Sequence, residues 1–322
     1  MKVVARYFAR FKSLEDLSSS LDNELSKHQP LLILGGGSNI LFTKDFDGLI
    51  LKNELSGREV LREDNDHVWI RGGAGENWHE FVQWAIAMGF AGIENLSLIP
   101  GSLGASPMQN IGAYGVELCD HFDSLEAYHI QDREVHTFKK EDCNFGYRES
   151  VFKRKYRNQY VITSVVLKLS KKADFRTSYG AIQQELEKMN VSEPSIRAVS
   201  DAVMSIRRSK LPDPAKIGNA GSFFKNPVIE LSHYNKLKID FPDIISYPSG
   251  EAMFKVPAGW LIEKAGWKGR NLGNYGVHNM QALVLVNYGG ATGAQIYNLS
   301  QDIIDDIQNK FGIILEREVN IY

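Results

Sequence analysis

The sequence is poor in cysteine, with Cys119 and Cys143 its only two. Neither belongs to a CxxC pair, which argues against a disulfide framework and fits a reducing cytoplasm. No apolar run approaches the roughly 18 residues of a membrane span, and the N-terminus has no signal-peptide core. An excess of one charge is missing as well. Lys and Arg number 37 against 39 Asp and Glu, for a formal net charge of -2. A dedicated nucleic-acid binder usually shows a basic excess. The basic run Lys153-Arg154-Lys155-Tyr156-Arg157 has no aromatic platform beyond Tyr156 and reads as an exposed loop. No metal is expected either. His79-Glu80 opens like a zincin helix, but Gln83 stands where the second histidine would be, and the eight histidines are scattered. No Gly-Lys-Ser/Thr occurs, so there is no Walker loop.

What the chain does have is length and an ordinary globular balance. Its 322 residues, 43% hydrophobic and 24% charged, suffice for about two domains. Residues 3–9 have strand character. Ser13 can cap a helix carrying Leu14, Leu17, Leu21 and Leu25, with Asp16 in the first turn. Two short apolar strands, 31–34 and 48–51, complete a β-α-β unit. Strands are also expected at 68–70 and 160–167. Between them Phe81, Val82, Ala85 and Ile86 fall at helical spacing within 78–88. Pro212 and Pro214 mark a boundary. Beyond it, 260–267 and 296–311 look helical, 282–286 reads as a buried strand, and 319–322 as a last one. The mixture is α+β in more than one domain.

Two glycine-rich stretches carry the chemistry. Gly35-Gly36-Gly37-Ser38-Asn39 follows a strand, but Ile40 sits where a Rossmann fingerprint has its third glycine, and no helix follows. A flexible backbone with consecutive N–H donors remains, able to nest a phosphate or simply to turn between strands. The longer stretch runs from Pro100 to Gly115, with small residues, Gln109 and Asn110, and almost no charge. So long and apolar a loop is uncommon unless it is buried against something. Its amides can hydrogen-bond a flat heterocycle. The two stretches could clamp the ends of a dinucleotide without a Rossmann fold.

These residues resemble the flavin-binding loops of the UDP-N-acetylenolpyruvoylglucosamine reductase family, which acts in peptidoglycan precursor synthesis. The likeness continues through Phe145 to Lys153, Lys210 to Pro214, Gly218 to Pro227, Ala258 to Ile262, Val277-His278 with Gln281, and Glu318-Val319. It spans nearly the whole chain, in order. It implies an α+β protein: a two-subdomain FAD-binding region of the vanillyl-alcohol-oxidase/PCMH type (residues 1–54 and 55–209), then a C-terminal α+β substrate-binding domain (210–312). Residues 313–322 would form a last strand carrying a catalytic glutamate. The chain opens just past where the family's Asn-Thr-Phe segment would stand, which implies that an early stretch is absent.

The resemblance also implies non-covalent FAD, with NADPH as hydride donor and UDP-N-acetylglucosamine enolpyruvate as substrate, in a cytoplasmic monomer. Flavin contacts would come from Gly35, Gly36, Gly37, Ser38, Asn39, Pro100, Gly101, Ser102, Gly104, Gln109, Asn110, Gly112, Ala113, Tyr114 and Ile162. Tyr179, Lys210, Asn226, Lys268 and Gln281 would face the UDP-sugar. Hydride from flavin N5 to the enolpyruvyl methylene carbon leaves carbanion character beside a carboxylate. Arg148 and Glu318 would stabilise the enolic form, and Ser222 would deliver the proton. Glu318 helps near a carboxylate only if protonated, which burial and like charge favour. Taken singly, each residue has a plainer reading: Arg148 a surface ion-pair residue, Ser222 a turn serine, Glu318 a solvated strand residue, Lys210 a basic helix end beside Arg207 and Arg208. The competing functions are another flavin oxidoreductase on this fold and a nucleotide-sugar binding protein that has lost flavin.

Overall fold

The computed structural model describes residues 2–23, 29–178 and 181–322, so Leu25 and Tyr179 lie outside the described residues. The chain divides into two compact units. One comprises Ala5–Gly37 and Asp47–Arg207; the other gathers Met1–Val4, Ser38–Phe46 and Arg208–Tyr322.

In the first unit, Ser13 caps the helix Leu14–Asp22 as expected, its hydroxyl accepting from the Asp16 N–H at 3.1 Å. Leu17 and Leu21 are buried with Phe11, Leu49 and Leu51. Strand Leu31–Leu34 runs parallel to Phe46–Asn53, with Leu31 opposite Leu49. Ala5–Phe11 flanks Phe46–Asn53 on its other edge. A five-stranded sheet follows in the order Val135–Lys139, Phe122–His129, Tyr160–Ser170, His67–Gly73, Arg58–Glu63. Every neighbouring pair in it is antiparallel. Tyr160–Ser170 lies at its centre, which is why Val161 to Leu167 is an unbroken buried run. Helix Trp78–Ala87 packs Phe81, Val82, Ala85 and Ile86 against Val68, Ile70, Val165 and Leu167. Burying each such side chain contributes roughly 1.5–3 kcal/mol.

The stretch from Pro100 to Gly115 is more ordered than its glycines suggest. It contains the 3-10 turns Leu103–Ala105 and Pro107–Gln109 and the hairpin strand Gly112–Ala113, paired with Val116–Glu117. Pro107 pre-sets the second turn. The Ser106 hydroxyl ties back to the Leu103 carbonyl at 2.6 Å.

In the second unit, Gly218–Ser222, Val284–Asn287 and Tyr275–Val277 form an antiparallel sheet with Val284–Asn287 in the middle. The expected strand at 282–286 starts late because a turn comes first, closed by the Val284 N–H on the Gln281 carbonyl at 3.1 Å. The helix expected at 260–267 is Ala258–Lys264, stopped before Gly266 at φ 84°. Thr292 and Gln295 make a reciprocal capping box for the helix Gly293–Phe311. Its Ile296, Leu299, Ile303 and Ile307 bury against Phe223, Phe224, Leu261 and Val277. At the chain end, Asn320–Ile321 pairs parallel with Ile40–Leu41. The Thr43 N–H donates to the Tyr322 carbonyl at 2.7 Å. Residues just after the first glycine loop are thereby knitted to the last residues of the chain.

Candidate active site

In the first unit the two glycine stretches meet. A Cβ on Gly36 would stand 2.8 Å from the Gly101 Cα, closer than side chains tolerate, and one on Gly35 would collide with the Ser102 hydroxyl. Glycine is required here by close approach of backbone to backbone. The Gly101 carbonyl accepts from the Trp78 N–H at 3.0 Å, and the Leu103 N–H donates to the Glu76 carbonyl at 2.8 Å. Around this contact is a pocket of about 210 Å³, lined also by Asn53, Gly75, Asn77 and the Lys52–Glu54 ion pair. None of those five was singled out from the sequence; the signal available was Gly72-Gly73-Ala74-Gly75 directly after a strand. Asn53 reaches the Ile162 carbonyl at 3.0 Å, so Ile162 borders the same region. A larger open groove of about 480 Å³, beside Arg62, Ser124, Thr137 and Lys139, holds none of the expected residues.

Further along, Asn110 is fully buried at φ 42° and engaged by the protein itself. Its amide donates to Glu117 at 2.9 Å and to the Gly146 carbonyl at 3.1 Å, and accepts from the Cys119 N–H at 3.0 Å. It enters the site as the fixture of this loop. Arg148, itself left-handed at φ 57°, donates to the Gly112 carbonyl at 2.9 Å, which sets its guanidinium against the same loop. Behind it Arg154 clamps Glu149 through two bonds of 2.9 and 2.8 Å, and the Lys153 ammonium holds the Arg148 carbonyl. The basic run is therefore partly spent on fixing Arg148. Cys119 is half-buried and Cys143 fully so; both are free thiols whose burial raises their pKa, that of Cys143 to about 12. His79 of the zincin-like pair accepts the Leu98 N–H on Nδ1 at 3.0 Å. No cluster of His, Cys, Asp or Glu able to hold a metal occurs among the described residues.

In the second unit the backbone next to Ser222 pairs with the backbone at Glu318. The Glu318 N–H donates to the Phe223 carbonyl at 2.9 Å, and Phe224 bridges to Arg317. Ser222 closes the strand Gly218–Ser222 after Gly221, whose φ of 75° produces a bulge opposite Val284. Asn39 donates to the Glu318 carbonyl at 3.3 Å, so the end of the first glycine stretch belongs to this cluster. Beside it the Lys225 ammonium, only 7% exposed, pairs with Glu316 at 2.7 Å.

The residues expected at the UDP-sugar are less concentrated. Asn226 accepts the Ala258 N–H at 2.9 Å, and Gln281 accepts the Leu283 N–H at 3.3 Å; both sit by the start of helix Ala258–Lys264. Lys268 is paired with Glu263 at 3.0 Å. Lys210 is exposed at the end of helix Ile196–Lys210.

Comparison with known proteins gives this arrangement its relatives. Residues 213–322 match the family profile described as UDP-N-acetylenolpyruvoylglucosamine reductase, C-terminal domain, and residues 5–138 match that of an FAD binding domain. A UDP-N-acetylenolpyruvoylglucosamine reductase of Flavobacterium johnsoniae is 50% identical over 318 residues, covering 98% of this chain and 94% of that protein. The chain belongs to the UDP-N-acetylenolpyruvoylglucosamine reductase family. Its relatives of the same name in Amoebophilus asiaticus and Pseudomonas aeruginosa are 51% and 47% identical, covering 98% and 99% of the chain and 94% of each relative. Among solved structures, the reductase from Thermus caldophilus shares the fold, with a TM-score of 0.64 and 23% identity over 98% of this chain and 91% of that one. Membership makes this protein an FAD-dependent oxidoreductase. The glycine contact fits that cofactor, because the glycines bring backbone close to backbone with no side chains of their own to screen an anionic pyrophosphate. No helix among the described residues is long and apolar enough to cross a membrane.

Proposed function

We propose that this reductase converts UDP-N-acetylglucosamine enolpyruvate to UDP-N-acetylmuramate, with NADPH as donor, as a cytoplasmic monomer serving peptidoglycan synthesis and binding neither nucleic acid nor membrane. The observation that supports this reading is the Phe223–Glu318 backbone pairing, which brings the segment that carries Ser222 to the segment that carries Glu318 although 95 positions separate Phe223 from Glu318 (318 − 223). A flavin oxidase that adds no proton to carbon has no need of a serine and a glutamate on paired segments.

When bound, FAD supplies hydride taken from NADPH to the enolpyruvyl methylene carbon. The neighbouring carbon must then be protonated while the carboxylate carries extra charge. The Ser222 hydroxyl makes no hydrogen bond among the described residues and is available as that donor. A serine is a weak acid, so it yields its proton only to a carbanion and not to the resting substrate. Arg148, already tied to the flavin loop, would neutralise the enolic carboxylate. Glu318, half-buried, would stabilise the same enolic form.

Gly35, Gly36, Gly37, Ser38, Asn39, Pro100, Gly101, Ser102 and Gly104, with Gln109, Gly112, Ala113, Tyr114 and Ile162, would hold the FAD, and Asn110 would serve by fixing the loop. The UDP moiety would meet Tyr179, Lys210, Asn226, Lys268 and Gln281, with Lys268 turning from Glu263 to a phosphate. The functional segments remain 1–54, 55–209, 210–312 and 313–322. The test is spectroscopic. FAD-loaded protein should bleach on anaerobic addition of NADPH and regain colour with the enolpyruvyl UDP-sugar. Bleaching without recolouring would reject this substrate.

A further inference from the structure

Helix Ile196–Lys210 ends in basic residues that a sequence reading leaves to solvent, yet Arg207 is half-buried. Its Nε donates to the Leu98 carbonyl at 3.3 Å. Its guanidinium also faces the Tyr114 phenol: burial pushes that hydroxyl's pKa up and the adjacent positive charge opposes the rise. Leu98 precedes the second glycine stretch and Tyr114 lies near its end, and both are left-handed, at φ 60° and 52°. That conformation costs a bulky L-residue about a factor of ten in population. Each is held from a second side. The Leu98 N–H donates to His79, and the Tyr114 carbonyl accepts from the buried Asn95 amide at 3.0 Å. Tyr114 packs against the hydrophobic cluster that contains Ile182, Val199 and Val203.

We propose that Arg207 is a positioning residue for flavin binding, a clamp that holds both ends of the loop 98–114 in the left-handed geometry that shapes it for the cofactor. The proposal rests on the reading that FAD lies against this loop. Strain of this kind persists only where surrounding contacts over-determine it, and it gathers at ligand sites. One cation reaching both strained ends makes their geometry a joint property of the loop and the helix.

The test titrates the flavin-free, full-length chain with FAD, following Kd and the shape of the visible band. Arg207→Met should weaken FAD about tenfold and alter the bound flavin's band. Adding Leu98→Gly to Arg207→Met should restore part of the affinity, because glycine takes the left-handed conformation without cost. A folded Arg207→Met protein with unchanged Kd and band overturns the clamp. So does failure of glycine at 98 to restore anything, since mere support of the helix would not respond to it. Tyr114→Phe, which removes only a hydroxyl, should weaken FAD about threefold and stands in if Arg207→Met does not fold. Unchanged affinity in Tyr114→Phe would then overturn the clamp. Gly36→Val separates the two readings: if it leaves affinity unchanged, the placement of FAD fails and the clamp with it. If it abolishes binding while the Arg207 and Tyr114 variants do not weaken it, only the clamp fails.

Discussion

The two units are built from different materials. In the first, glycines let backbone approach backbone, Gly36 against Gly101, and side chains such as Asn110 serve to hold the loops. In the second, strand pairing brings the segment that carries Ser222 to the segment that carries Glu318. A cofactor bound through its pyrophosphate needs donors at fixed positions, which backbone supplies with little entropy left to lose. Proton delivery needs a hydroxyl and an acid, which only side chains provide. The difference teaches that substitutions at the glycine contact should act on cofactor binding, and those at Ser222 and Glu318 on chemistry.

The sharpest attempt to break that division is Ser222→Ala. Flavin reduction by NADPH should proceed unchanged, while reoxidation by the enolpyruvyl substrate slows roughly 10²- to 10⁴-fold, the usual range for a lost proton donor. Equal losses in both half-reactions, read by stopped-flow absorbance, would show that Ser222 supports the fold or flavin instead. Gly36→Val comes next. Its side chain meets the Gly101 backbone, which has nowhere to retreat, so about 3 kcal/mol of overpacking should weaken FAD roughly 100-fold in equilibrium titration. A variant that bound FAD normally would mean that the loops do not need to touch. Asn110→Leu is milder. It strands the Cys119 N–H and the Gly146 carbonyl, for about 1–3 kcal/mol of stability, visible as a lower Tm of the flavin-free protein.

How much of this could be seen without coordinates divides along similar lines. The helix Trp78–Ala87 and the β-α-β start were legible because apolar spacing and a serine cap are local signals. The attachment of residues 38–46 to the chain end was not. It rests on pairings such as Asn39 to Glu318, 279 positions apart, which no periodicity announces. Residue type also hides direction. Asn110 has the right groups for a heterocycle, yet its amide is turned into the protein; Arg207 looks like its exposed neighbour Arg208 and is not. The substrate lysines were expected together, but Lys268 pairs with Glu263 while Lys210 is the exposed last residue of a half-buried helix. Local composition cannot tell those settings apart, because long cationic side chains suit both.

The smallest expected effect concerns Glu94, 2% exposed in the first unit next to Asn95, which grips the Tyr114 carbonyl. One of its oxygens accepts the Gly92 N–H at 2.6 Å, but burial outweighs that bond and raises the carboxyl pKa above its ordinary 4.5. A raised value in the folded chain means that the native state binds the proton more tightly than the unfolded one. The stability this contributes is fully present below the ordinary carboxyl pKa and is lost as pH rises through the folded value. Glutamine has no proton to lose and keeps an oxygen for Gly92. Glu94→Gln should therefore match the parent at acid pH and exceed it in Tm at neutral pH, with FAD affinity following the same trend. A Tm difference that stays constant from pH 4 to pH 8 would show that burial at this position costs the carboxylate nothing. The backbone-built region would then owe its order to hydrogen bonds alone.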